Sequence, residues 1–190
     1  MTYHIVKYTG PFGFIKPWTA VRDSKTFSQQ FLTASIIEGI EKKLFPEMLL
    51  QTGIQKIFRH KLTYSSLSVQ QEVTQTRGWE FKKQQNLMTR NRSILERGVL
   101  VNPVLSLAFQ SSDDAHCANT QHICLCRNED ILLPEEQVPE LSEEEFNLLD
   151  GFELRFGETP DAFITGYNRF DQVKPMYGCL EISGKPVTNM

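Results

Sequence analysis

Strand and helix signals follow one another in the order strand, helix, strand, long loop, strand, helix, strand. That order predicts an α+β fold of the ferredoxin-like, βαββαβ type, carrying an extended basic loop and extra β-hairpins. Helix-capping patterns at residues 35–38 and 142–145 mark the two helices. Runs of β-branched and aromatic residues bounded by Gly and Pro mark the strands. No internal repeat or low-complexity tract interrupts them, so residues 1–190 are expected to form one domain.

Residues 3–8 read as the first strand, unbroken until Gly10. Residues 9–14 are turn chemistry, and most of Phe12, Phe14 and Trp18 are expected in the core or as a lid. The first helix starts at Thr33 or Ser35 and ends at Phe45, before Pro46. Ser35 and Glu38 form its capping box, and Ile36, Ile37, Ile40 and Leu44 its buried stripe. Glu38, Glu41, Lys42 and Lys43 lie off that stripe. Gly39 costs roughly 1 kcal/mol relative to alanine, which a close backbone approach would explain.

Residues 52–64 are a second strand, whose imperfect apolar phase predicts a bulge near Ile57 and Phe58. Residues 65–98 show no clear period and read as the long basic loop. Residues 99–109 return to strand character, with Pro103 at an edge or bulge. Residues 111–141 form a hairpin excursion and an acidic linker. Ser142 and Glu145 cap the second helix, Leu141 and Phe146 staple it, and Gly151 stops it. Residues 152–156, 162–167 and 176–182 are the remaining strands.

The net charge of −3 conceals two halves. Residues 55–97 hold nine cations against three carboxylates, whereas residues 98–161 hold fourteen carboxylates against two arginines. Phe58, Tyr64, Trp79 and Phe81 and the amides Gln84, Gln85, Asn86 and Asn91 are interleaved with the cations. Cations neutralise phosphates, rings stack on bases and amides bond base edges, so this mixture suits a single-stranded RNA groove. The expected RNA contacts are Lys16, Arg22, Lys56, Arg59, Lys61, Arg77, Trp79, Lys82, Lys83, Arg90, Arg92 and Arg97. The Trp18 and Trp79 rings can each serve as core or as a stacking platform. Trp79 leans to stacking and Trp18 to the core, although Lys16, Trp18 and Arg22 also read as facing outward in a loop that could touch a ligand. A solvated basic face balancing an acidic one is the competing reading. The acidic half points to a basic protein partner.

No run of 18 apolar residues occurs, so no membrane partner is expected. No basic flank leads the N-terminus into an apolar stretch, which argues against a signal peptide. Cys117, Cys124, Cys126 and Cys179 fit reduced thiols in the cytoplasm better than a disulfide framework.

The stretches at residues 8–18 (YTGPFGFIKPW) and 31–39 (FLTASIIEG) resemble the N-terminal signature of the CRISPR-associated RAMP superfamily. The nearest branch is the small subunit that caps the 5′ end of the guide RNA in Cascade-type complexes. Residues 89–97, leading to 100–103, are similar to that family's arginine-bearing loop before its third strand. Residues 163–169 echo its glycine-containing C-terminal loop. The resemblance implies a structural guide-RNA (crRNA) binding subunit that holds the 5′ handle without a cofactor. It also implies two protein partners, a backbone RAMP subunit and a large subunit.

Three alternatives stand beside this. His60, Lys61 and Tyr64 could serve a metal-independent repeat-RNA endoribonuclease, as in some members of the resembled branch, but strand alternation points Lys61 away from the other two. His122, Cys124 and Cys126 would share a strand face, yet their spacing does not match zinc knuckles. An acidic-faced protein-interaction module without RNA is the third. No phosphate loop, nucleophile elbow or His-Glu-x-x-His helix is present.

Overall fold

The computed structural model describes residues 1–19, 24–75, 78–168 and 173–188. The chain opens with β1 (Thr2–Thr9), β2 (Phe12–Gly13), β3 (Lys25–Phe27) and helix α1 (Ala34–Leu44). Next come β4 (Ile57–Thr63), β5 (Ser66–Gln75), β6 (Glu80–Lys82), β7 (Leu87–Thr89), β8 (Arg92–Val101) and β9 (Val104–Phe109). Then follow α2 (Ser112–Asn119), β10 (Ile123–Cys124), β11 (Ile131–Pro134), β12 (Glu140–Ser142) and α3 (Glu143–Leu148). The last elements are β13 (Gly151–Phe156), β14 (Phe163–Asn168) and β15 (Lys174–Ser183). The architecture is mixed α+β, with strands dominant and mostly antiparallel. All four cysteines are free thiols. Among the described residues, no helix is long and apolar enough to cross a membrane.

A nine-stranded sheet runs β10-β11-β1-β9-β4-β13-β15-β14, with β12 also paired to β1. Strand alternation divides its middle between two faces. Val6 and Tyr8 of β1, Leu105, Leu107 and Phe109 of β9 and Leu62 of β4 meet Ile37, Ile40 and Leu44 of α1 and Ala115 and Ala118 of α2. Tyr3, Ile5 and Ala108 take the other face, where Phe146 of α3 covers them. Each large apolar side chain so buried contributes roughly 1.5–3 kcal/mol, which makes β1, β9 and β4 the firm centre of the molecule.

Ile57 and Leu62 both belong to the first core, although one is odd and the other even. A regular strand cannot do that. The register against β9 shifts between Ile57 and Arg59, so the bulge expected near Ile57 and Phe58 is present.

Several local expectations are corrected. Thr33, the residue before α1, makes no side-chain cap bond, and Glu38 does not close a box. Glu38 instead accepts from Lys42 Nζ at 2.6 Å and from the Gly53 N–H at 3.1 Å. Gly39 faces open space, so no backbone approach explains it. The first part of the 111–128 hairpin is instead α2, because Ser111 Oγ accepts the Asp114 N–H and starts a helix there, while a short hairpin forms further on between β10 and β11. The expected linker at 132–140 instead lays β11 and β12 along β1. Pro103 lies between β8 and β9, after Asn102 in a left-handed conformation. Trp18 is 46% exposed, which fits the outward-facing reading and not the core one. The capping box of α3 forms as expected, with Ser142 and Glu145 bonding reciprocally.

Glu41 is the largest departure. Expected on the solvated side of α1, it is 1% exposed, and its carboxylate accepts the N–H groups of Gln55, Lys56 and Ile57 at 2.8, 2.6 and 2.8 Å. Glu41→Ala should cost on the order of 3 kcal/mol, since it strands three amides beside the core. Glu41→Gln, which retains one acceptor oxygen, should cost less. Urea unfolding checks both, and an alanine variant as stable as the parent would show that these bonds hold nothing.

Candidate nucleic-acid interface

Residues 65–98 are not a loop. β5 and β8 pair antiparallel over ten positions, from Ser66 opposite Val101 to Gln75 opposite Arg92, and project as a two-stranded arm. β6 and β7 pair beyond its end. The base is fastened by β2 and β3, which both pair with β8. A period-2 signal was available in the sequence: Leu67, Val69 and Val73 alternate with Ser66, Ser68, Gln70, Glu72 and Thr74. Polar residues outnumber apolar ones because neither face of the arm enters the core.

The outer arm gathers Gln75, Trp79, Lys82, Met88, Thr89, Arg90, Asn91 and Arg92 around an open pocket of about 670 Å³. The Arg90 guanidinium sits 4.4 Å from the centroid of the Trp79 ring, which is 56% exposed. Glu80 is held by the Asn91 side-chain amide at 2.7 Å. Among the described residues, no carboxylate lies within ion-pair distance of Lys82, Lys83, Arg90 or Arg92. This arrangement can neutralise phosphates and offer a ring to a base.

The other expected contacts are placed differently. Lys16 is exposed, well away in sequence from the arm. Arg22 and Arg77 lie outside the described residues. Lys56 is paired with Glu47 at 3.0 Å and Asp114 at 2.8 Å and stands over the Phe45 ring. Arg59 is buried, gripping both Glu153 oxygens at 2.5 and 2.6 Å and Asn147 Oδ1 at 3.1 Å. Lys61 is also buried, and its ammonium donates to the carbonyls of Asn147 and Leu149 and to Ser183 Oγ. Burial pushes its pKa down. Arg97 is half-buried, 3.6 Å from Glu72 and over the Phe14 ring. Lys56, Arg59, Lys61 and Arg97 thus each have a partner within the fold, and the structure does not bring them together with the cations of the outer arm.

The alternative sites are not assembled either. After the bulge, Arg59 and Lys61 face Phe146 of α3, while His60 points to the opposite face and stacks on Phe156 with centroids 5.3 Å apart. Tyr64 is buried against Phe152. His60, Lys61 and Tyr64 thus share no accessible surface. Of the proposed metal set, only Cys124 lies in a strand, and β10 is two residues long. Among the described residues, no three His, Cys, Asp or Glu side chains converge on a point.

His60 Nε2 is buried without a partner, and desolvation brings the ring's pKa down to about 4 from an ordinary 6.5. The unfolded chain therefore takes up this proton first as the pH falls. Stability from keeping the ring neutral is complete above about 6.5 and is lost between 6.5 and 4. His60→Phe should flatten the fall in stability across that window, by an amount on the order of 3 kcal/mol at the acid end. Urea titrations at several pH values measure it, and parallel curves for parent and variant would refute the assignment.

No protein-family model matches the chain, and no curated protein matches it. Among solved structures, the chain resembles one from a CRISPR RNA-guided surveillance complex, with a TM-score of 0.52 and 10% identity. The alignment covers 95% of this chain and 88% of that one, so the likeness extends over the whole fold.

Proposed function

We propose that this chain is a structural guide-RNA (crRNA) binding subunit of a CRISPR effector complex, holding the 5′ handle of the RNA in the cytoplasm. The fold behind this reading is a ferredoxin-like domain of the RAMP type. It is supported by β1, α1, β4, β9, α2 and β11, which follow in chain order and stand in the sheet as β11-β1-β9-β4, antiparallel throughout. On this reading the second helix of the motif is α2, and α3 covers the other face of the sheet.

The observation that carries the function is the outer arm. Among the described residues Lys82, Lys83, Arg90 and Arg92 have no carboxylate partner, while Arg59 and Lys61 of β4 are bonded within the fold. Like charges gathered without internal neutralisation favour a polyanion. The similar solved structure comes from a CRISPR RNA-guided surveillance complex. Glu135, Glu136, Glu140 and Glu144 are exposed and would repel RNA, so we assign them to a basic surface on an adjoining backbone or large subunit.

Binding of a single-stranded repeat RNA across a salt series tests this. Replacing Lys82, Arg90 and Arg92 together with Ala should weaken binding and lower the slope of log K against log salt by about 2. Lys56→Ala, which breaks pairs internal to the fold, should leave the slope unchanged. Equal slopes for the triple variant and the parent would take the arm out of the RNA site.

A further inference from the structure

We propose that Trp18 and Tyr167 form a second RNA contact, a stacking platform for one unpaired base at the outer edge of the large sheet. This rests on the RNA-binding reading above and adds a position that the arm does not supply.

The platform is built by the edge strand. β14 ends the sheet, pairing with β15, and its register slips between Ile164 and Gly166. Gly166 stands at φ 147°, and a Cβ there would meet Met176 Cε at 3.2 Å and the Trp18 side chain at 3.8 Å. Glycine at the slip accommodates the positive φ and the close Met176 methyl, and Trp18 packs at ordinary contact distance on the same position. Its ring meets Tyr167 edge-to-face, with centroids 5.7 Å apart and planes at 78°. Trp18 remains 46% exposed and Tyr167 48% exposed. In an edge-to-face pair, the ring that offers its edge keeps its own faces for another partner.

The surroundings favour a nucleotide. Lys16, two residues before Trp18 in the chain, is exposed and makes no ion pair among the described residues, so the same stretch carries a cation available to a phosphate. β2 and β3 attach this stretch to β8 at the base of the arm, whereas Trp18 and Phe31 attach it to β14 through Tyr167 and Phe163. Residues 12–19 and 24–31 thus touch both the base of the arm and the β14 edge. Two exposed rings on a stretch that also carries a free lysine suit an unpaired base, which offers a planar π-face next to a charged backbone.

The test compares octauridylate with an abasic ribose-phosphate strand of the same length, using the full chain at several salt concentrations. W18A and Y167A should each weaken octauridylate binding about tenfold, leave its salt slope unchanged and leave the abasic strand unaffected. W18F should recover most of the loss. Should W18A fail to fold, a 5-fluorotryptophan label on Trp18 of the parent should shift with octauridylate and stay still with the abasic strand. W18A binding octauridylate as tightly as the parent, or a label that does not respond, would overturn the platform. The RNA reading itself would survive if the arm variants still bound more weakly. Loss of a co-purifying protein by W18A with RNA affinity intact would assign the surface to a protein contact instead. A parent chain that binds neither strand would bring down both readings.

Discussion

The carboxylate of Glu41 fixes the point at which β4 enters the sheet. Three successive amides, those of Gln55, Lys56 and Ile57, converge on it from the segment before the strand. A buried carboxylate is costly unless its oxygens are satisfied, and three N–H donors satisfy it without a counter-ion. The bulge follows at once, and with it the phase of everything downstream. Leu62 and His60 turn toward α1, while Arg59 and Lys61 turn toward α3. From that phase comes the need for Glu153, Asn147 and Ser183 as partners on the second face. An unpaired guanidinium or ammonium there would carry a desolvation penalty of several kcal/mol.

The arm obeys the opposite rule. An isolated two-stranded hairpin is marginal in water, so its ten-pair ladder depends on what holds the base. β2 and β3 flank β8 there, and the Phe27 ring rests directly on Gly98, where any side chain would collide with it. Further out, Leu67, Val69, Val73 and Ile94 share one face of the ladder and remain exposed. The arm is thus anchored at one end and carries its cations at the other, beyond the reach of the core carboxylates.

How far the sequence could be read follows from which elements carry local signals. The α3 capping box and the β4 bulge were legible because both are short-range patterns, one in hydrogen-bonding residues and one in apolar phase. Glu41 was not, since helical spacing places it off the stripe while its ligands come from a segment fourteen to sixteen residues on. The arm escaped because alternation in a polar ribbon is weak without a buried face to sharpen it. The site residues divided for a related reason. Arg59 and Lys61 belong by composition to the same basic block as Arg90 and Arg92, yet the first pair lies in a central strand and the second outside the sheet. Charge counts record neither burial nor partner.

The strand order also settles whether the acidic half opposes an anionic ligand at the aromatic edge. Glu135, Glu136 and Glu140 lie on or between β11 and β12, which flank β1 toward one side of the sheet. Tyr167 is on β14, at the opposite end of the path, six neighbours away from β11. At about 4.8 Å per strand spacing, that separation is roughly 29 Å along the sheet. The Debye length at physiological ionic strength is about 8 Å, so repulsion across that span is largely screened. Glu158 and Asp161 are nearer, but they precede Phe163, and Tyr167 is four residues further along the strand, roughly 13 Å. An overall charge of −3 is therefore compatible with the proposed base platform on one edge and an acidic edge on the other. What decides is the distance between them measured against the screening length, not the sum of their charges.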